Sequence, residues 1–299
     1  PRYAPWDRFD RLPRPDGGTV SLQWTGLADA KPTTPVLMLL PTIAGTGDTL
    51  RRMVDRYRRR MGWIVIAANR RGLGQPLTSP RFNTLGDTDD LRAQIEVVRG
   101  HRPKAPLFAL GLSAGSGLLA RYLGEEGARS AFAAAVMISP AYDMELAFRH
   151  LEAPYNRLIT RSLVETFVDA NEDLLAPIVG FHALRSARRL GPFHDRLFPL
   201  AGFSSRAAYY RATNPMVVAD QSRTPALVLN ALDDPVCPRP AVEQGIRDLS
   251  SALTTTVVAT TDYGSHCAFY EGWPARSWSE RAAIEYLHAA HALGVTPQT

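Results

Sequence analysis

The stretch LFALGLSAGSG, residues 107–117, carries an apolar run into a serine bracketed by glycines. Gly111-Leu112-Ser113-Ala114-Gly115 matches G-x-S-x-G. Between a buried strand and a helix, that pattern lifts a serine hydroxyl above a sheet on a sharp turn. Glycines two residues to either side leave room for neighbouring backbone. The alternative use of Ser113 is a helix N-cap whose hydroxyl accepts a helix N–H, and the local pattern fits both. A nucleophilic serine needs a base, and the base needs a carboxylate to orient it. PALVLNALDDPVCP (225–238) supplies the acid, an apolar run ending in Asp233-Asp234-Pro235. Adjacent side chains cannot share one orientation, so one Asp faces the site and the other caps the turn. The run D-P-V-C-P assigns Asp234 to the site; a plain Asp turn before proline is the structural alternative. His266, in TTDYGSHCAFYEG (260–272), is the base. Of the seven histidines, it alone occupies a loop between the last strand and the last helix.

Acyl transfer also needs donors for the developing oxyanion. The N–H of Ala114, next after the nucleophile, is one. The second is expected in LLPTIAGTG (39–47), where Ile43 N–H is the choice and Pro41 has no N–H to give. Gly45 and Gly47 make this loop pliable.

Parallel strands and their helices must position these groups. TVSLQW (19–24) alternates like an early strand, while VLMLL (36–40), WIVIAAN (63–69), PLFALGL (106–112), AFAAAVMIS (131–139), PALVLNAL (225–232) and TTTVVAT (254–260) read as further strands, mostly buried on both faces. Helices are expected over 50–61, 87–99, 114–123, 240–249 and 276–293. The alternation predicts an α/β class with a mostly parallel, doubly wound sheet. Residues 142–212 break the rhythm: they read as helical, aromatic and proline-punctuated, a helical cap inserted within a single domain spanning 1–299. Residues 1–18, rich in proline and charge, are expected to wrap the surface.

Composition narrows the partners. The chain has 299 residues, is 45% hydrophobic and carries a net charge of +5, almost all of it from arginine because Lys31 and Lys104 are the two lysines. Arg51, Arg52, Arg56, Arg58, Arg59 and Arg60 crowd one segment and are expected to form the solvated face of a helix. That surface suits peripheral contact with an anionic membrane or a protein complex. No nucleic-acid-binding motif accompanies it, and no apolar run is long enough to span a membrane. Cys237 and Cys267 make neither a disulfide framework nor a zinc cluster; two free thiols in a reducing, intracellular compartment are expected, with a single bridge as the alternative. No metal or cofactor is called for. The start, PRYAPWDRFD, lacks a methionine and an apolar leader, so a targeting or anchoring segment upstream is an open expectation.

From about Val36 to the final helix the chain resembles the YheT-like, abhydrolase-domain branch of the α/β-hydrolases. The resemblance rests on NRRGLGQ (69–75), GLSAGSG (111–117), AAYYRATNPM (207–216), PALVLNALDDPV (225–236) and GSHCAFYEG (264–272). That branch includes medium-chain acyl ester synthase/esterases and phospholipase and acylglycerol-lipase types. The resemblance implies the α/β-hydrolase fold and a Ser113, Asp234, His266 triad. One departure stands out: Pro41-Thr42 occupy the place of the branch's His-Gly before the oxyanion donor, which restricts the turn and offers Thr42 Oγ1 as an extra donor.

Two readings follow. The first is a serine hydrolase of short- to medium-chain acyl esters or lipids, with acyl transfer to alcohols as a variant. The second is a hydrolase fold kept as a scaffold within a larger assembly, supported by the altered oxyanion loop and the arginine-rich surface. The cap aromatics Tyr142, Phe148, Tyr155, Phe167, Phe181, Phe193, Phe198 and Phe203 are expected chiefly as cap core, around a shelter for an acyl chain.

Overall fold

The computed structural model describes residue 3, residues 5–252 and residues 255–297. Its strands are β1 (Arg8–Pro13), β2 (Thr19–Thr25), β3 (Val36–Leu40), β4 (Ile64–Asn69), β5 (Leu107–Leu112), β6 (Ala134–Ile138), β7 (Ala226–Ala231) and β8 (Thr256–Thr261). They form one sheet in the order β1-β2-β4-β3-β5-β6-β7-β8. β2 runs antiparallel to both its neighbours, and β3 through β8 are parallel. Every residue of β3 through β7 is buried, which explains their unbroken apolar runs: helices cover both faces. The strand expected over 254–260 is β8; Thr254, where that expectation begins, lies outside the described residues.

Helices α1 (Arg51–Met61), α2 (Thr88–His101), α3 (Ala114–Glu126), α4 (Met144–His150), α5 (Ala153–Leu163), α6 (Glu172–Leu175), α7 (Phe181–Arg185), α8 (Leu190–Leu197), α9 (Arg206–Thr213), α10 (Arg239–Ala252) and α11 (Trp278–Ala292) complete the chain. One face of the sheet packs a core with α2, α3 and α10, built around Leu22, Trp24, Met38, Leu119 and Val242. The other face packs against α1 and α11 through Tyr57, Trp63, Phe108 and Leu287.

Two expectations are corrected. The segment 1–18 is not a surface wrap: RFDRLP pairs with β2 as the edge strand β1. Its charges conceal the pairing in the sequence, yet Asp10 Oδ2 accepts the indole N–H of Trp24 at 2.8 Å and Arg8 stacks over that ring. Residues 1, 2 and 4 of that segment lie outside the described residues. The arginines of α1 are also only partly solvated. Arg51 lies over the ring of Trp6 at 3.7 Å, Arg56 pairs with Glu280 at 2.6 Å, and Arg59 pairs with Asp55 at 2.6 Å.

Among the described residues the stretch from β6 to β7 is helical, α4 through α9, with no strand. These helices share a separate apolar core containing Phe148, Phe167, Phe181 and Phe193. That core closes on Leu73, Leu77, Phe82 and Leu85, in the loop after β4, and on Ala114 at the start of α3. The helices therefore sit over the carboxyl ends of the central strands. Phe198 and Phe203 are partly buried at its margin, and Tyr155 is exposed. Tyr142 belongs elsewhere: it packs into the sheet core against Gly245, and its hydroxyl donates to Asn230 Oδ1 at 2.5 Å.

His194 ties this helical layer to the sheet layer. It is fully buried, Nδ1 donates to Leu190 O at 2.8 Å, and Nε2 accepts from Thr84 Oγ1 at 2.9 Å. Burial holds the imidazole neutral, down to about 4 from the ordinary 6.5. The folded form binds the proton less readily than the unfolded chain, so this contribution is complete above pH ~6.5 and is lost as pH falls toward about 4. Urea unfolding at a series of pH values is expected to show an acid-side loss of up to about 3 kcal/mol from this group. His194→Gln is expected to remove that part of the pH dependence, and equal slopes in the two proteins would contradict it.

Candidate active site

The turn from β5 into α3 places Ser113. Its φ of 52° and ψ of −117° form a backbone conformation that L-residues rarely adopt, at a cost of about 1–3 kcal/mol. The surroundings hold it there. Ser113 N–H donates to Ile138 O at 2.9 Å, and Ser113 O accepts from the N–H of Ser116 at 2.8 Å. The flanking glycines are required by contact. A Cβ on Gly111 would lie 2.6 Å from Gly115 O, and one on Gly115 would lie 2.1 Å from Leu40 O. The elbow is thus wedged against the end of β3.

Ser113 does not cap α3 with its side chain. Its Oγ lies 2.7 Å from His266 Nε2, and His266 Nδ1 lies 2.8 Å from Asp234 Oδ2. With the carboxylate accepting from Nδ1–H, Nε2 is left as the acceptor of the serine proton. The Asp234 side chain is fully buried, and its other oxygen accepts the N–H groups of Val236 at 2.7 Å and Cys237 at 2.9 Å. The buried charge is therefore hydrogen-bonded on both oxygens. His266 keeps 19% of its side chain exposed, so the ring joins the buried acid to the open face.

The division of labour between the two aspartates is visible. Asp233 turns outward, and its Oδ1 accepts the N–H groups of Gly264 at 2.9 Å and Ser265 at 2.8 Å, in the loop that carries His266. On the other side of the histidine, Cys267 N–H donates to Ser139 Oγ at 3.2 Å. Ser139, Ser265 and Cys267 all hold positive φ, so strained backbone gathers around the histidine.

Both cysteines are free thiols. Cys237 and Cys267 sit beside the triad, where burial, followed by the negative charge of Asp234, pushes Cys237 up. Burial likewise pushes Cys267 up to about 12. Both thiols are therefore held in the protonated form at neutral pH, which disfavours them as nucleophiles.

Facing the elbow is the loop after β3. Gly45 N–H closes a turn onto Thr42 O at 3.0 Å, and Ile43 and Ala44 pack against the core of the helical layer. The N–H groups of Ile43 and Ala114 have no hydrogen-bond partner among the described residues, as donors for an incoming oxyanion require. Thr42 Oγ1 lies over Gly45, across the turn. The last residue of β4 and the one that follows it anchor this loop. Asn69 Oδ1 accepts from Gly47 N–H at 2.9 Å, and Arg70 donates to Pro41 O at 2.9 Å and to Thr42 O. Arg70 escaped the sequence reading because one arginine of an Arg-Arg pair looks like solvated charge. The third residue, Arg71, grips Asp90 at 2.6 Å and Asp16 at 2.7 Å instead.

A cleft of about 230 Å³ opens beside the elbow, lined by Leu85, Ala114, Gly117, Leu118, Met144 and Phe203, with Arg81 and Arg121 among its polar residues. Among the described residues, no helix is long and apolar enough to cross a membrane.

Comparison with known proteins agrees with this architecture. The family described as serine aminopeptidase, S33, matches residues 43–272. Phospholipase ABHD3 from Homo sapiens is 27% identical over 297 residues, covering 94% of this chain and 72% of that protein. YheT from Escherichia coli (strain K12) is 26% identical over 285 residues, covering 91% of this chain and 80% of that protein. Among solved structures, the Pyrococcus furiosus esterase PF2001 superposes with a TM-score of 0.62 at 16% identity, covering 94% of this chain and 90% of that one, a likeness of fold.

Asp233 offers a test of how the histidine loop is held. Asp233→Ala removes the acceptor of two backbone N–H groups and is expected to lower stability by about 1–2 kcal/mol. Amide exchange at Gly264 and Ser265 is expected to rise with it. Unchanged exchange there would show that the loop is held without Asp233.

Proposed function

The chain belongs to the α/β-hydrolase family described as serine aminopeptidase, S33, and from that premise we propose that it is a serine hydrolase of carboxylic esters acting through an acyl-enzyme. The observation that carries the proposal is the continuous relay from Ser113 Oγ through His266 to the buried Asp234, at 2.7 and 2.8 Å. The phospholipase name of the relative ABHD3 supports an ester as the bond cleaved.

In this reading His266 Nε2 takes the hydroxyl proton as Ser113 Oγ attacks the acyl carbonyl. Asp234 stays ionised, holding the ring in the tautomer that leaves Nε2 free and stabilising the imidazolium. The N–H groups of Ile43 and Ala114 receive the oxyanion, and His266 then passes its proton to the leaving alcohol. Water, deprotonated by the same histidine, attacks the acyl-enzyme and releases the acid. An alcohol in place of that water yields a new ester, so acyl transfer needs no additional group. The cleft beside Ala114 would take the acyl chain.

The scaffold reading drew on Pro41-Thr42. Neither side chain is needed for backbone donation, and the anchoring of the loop by Asn69 and Arg70 favours an enzyme.

A fluorophosphonate probe is expected to label the wild-type protein and not Ser113→Ala. Turnover of p-nitrophenyl esters is expected to peak at short to medium chains and to fall at least about 10³-fold in that variant. Amino-acid p-nitroanilides, run alongside, test the peptidase sense of the family description. A folded wild type that is neither labelled nor active on esters would sink the proposal.

A further inference from the structure

Arg70 is buried, and among the described residues no carboxylate pairs with it. Burial alone pulls its guanidinium down to about 10, and its Nε has no hydrogen-bond partner among the described residues. The contrast with its neighbour is sharp, since Arg71 takes two aspartates. A buried charge without a counter-charge is costly unless something compensates it. The compensation here is two backbone carbonyls, Pro41 O at 2.9 Å and Thr42 O.

Those carbonyls are not arbitrary. Thr42 C=O and Ile43 N–H are opposite ends of one planar peptide group, so fixing the carbonyl fixes the direction of the N–H. Thr42 O also accepts from Gly45 N–H at 3.0 Å, so donors converge on it from two sides. A peptide whose carbonyl accepts hydrogen bonds is polarised and donates more strongly through its N–H. A cation behind that carbonyl adds to the effect, because no carboxylate neutralises it.

We propose that Arg70 is a positioning residue for ester hydrolysis: it clamps the Pro41-Thr42 carbonyls, aims the Ile43 N–H at the oxyanion and strengthens it as a donor. This rests on the hydrolase reading above. It also gives the departure at Pro41-Thr42 a physical role. A loop whose turn is restricted by proline and threonine is held from behind by a charged side chain that addresses only its backbone.

Arg70→Gln removes the charge, and Arg70→Lys keeps it but replaces the planar two-pronged guanidinium with a single ammonium. For each, kcat and KM on a p-nitrophenyl ester are measured with the Ki of an alkyl trifluoromethyl ketone, whose hemiketal oxyanion occupies the same hole, and with the melting temperature. In Arg70→Gln, kcat is expected to fall about 10- to 100-fold and Ki to rise by a similar ratio, with KM within about threefold. Arg70→Lys is expected to fall between that variant and wild type. A merely structural role would lower melting temperature without this matched change in kcat and Ki. Folded variants that keep wild-type kcat and Ki overturn the proposal, as does a loss confined to KM. If Arg70→Gln does not fold, Arg70→Lys decides alone: wild-type kcat and Ki in it overturn the clamp. A folded wild type inert toward esters overturns both this and the hydrolase reading, whereas an active wild type with unaffected variants overturns this alone.

Discussion

A carboxylate with no exposed side-chain surface is costly to bury unless it is hydrogen-bonded, and Asp234 is bonded on both oxygens, by two backbone N–H groups and one imidazole. The rest of the site follows from this constraint. Because Oδ1 is consumed by the turn after β7, only Oδ2 faces the histidine, which sets the ring's position and tautomer. His266 is fixed at Nδ1, and its Nε2 meets Ser113 on an elbow that holds an unfavourable φ. The glycines on either side of that serine exist to let the elbow sit against Leu40 O and the start of α3. A local strain of about 1–3 kcal/mol is thus carried by a sheet and helices that bury two continuous cores.

The end of β4 acts as a second keystone. Three consecutive residues face three directions: Asn69 toward Gly47, Arg70 toward Pro41 and Thr42, and Arg71 toward Asp16 and Asp90. Asn69 also donates to Gln23 Oε1 at 2.9 Å, so the anchor of the loop after β3 reaches the antiparallel strand β2. The loop facing the nucleophile is held by Asn69 at Gly47 and by Arg70 at Pro41 and Thr42, while the Ile43 N–H between them makes no hydrogen bond among the described residues. This division lets side chains in the loop vary without loss of backbone geometry.

Much of this was legible before any coordinates. Strands buried on both faces leave runs such as VLMLL that alternate with nothing, and the order serine, aspartate, histidine follows the order of the strands that present them. The sequence assigns Asp234 to the site and its neighbour to the turn, whereas Asp234 does both, facing His266 and holding the turn after β7, and Asp233 holds the loop of His266. What stayed hidden depends on tertiary pairing. RFDRLP looks like a solvated tail until β2 supplies its partner, and Arg51 and Arg56 of α1 look free until Trp6 and Glu280 meet them. Tyr142 looks like cap core until the chain turns its ring onto Gly245 beneath the sheet edge. Arg70 is the strongest case: composition assigns an arginine to water, and only the fold shows it buried behind the loop.

The central claim is that Ser113, activated through His266 by the buried Asp234, becomes covalently acylated during turnover. The most direct measurement mixes the enzyme with excess p-nitrophenyl ester, quenches in acid within the steady state and maps the adduct by mass spectrometry. One acyl group on the peptide that carries Ser113, absent from Ser113→Ala, is the expected result. Ester turnover with Ser113 unmodified, or an acyl group on another residue that persists in the variant, would contradict the account.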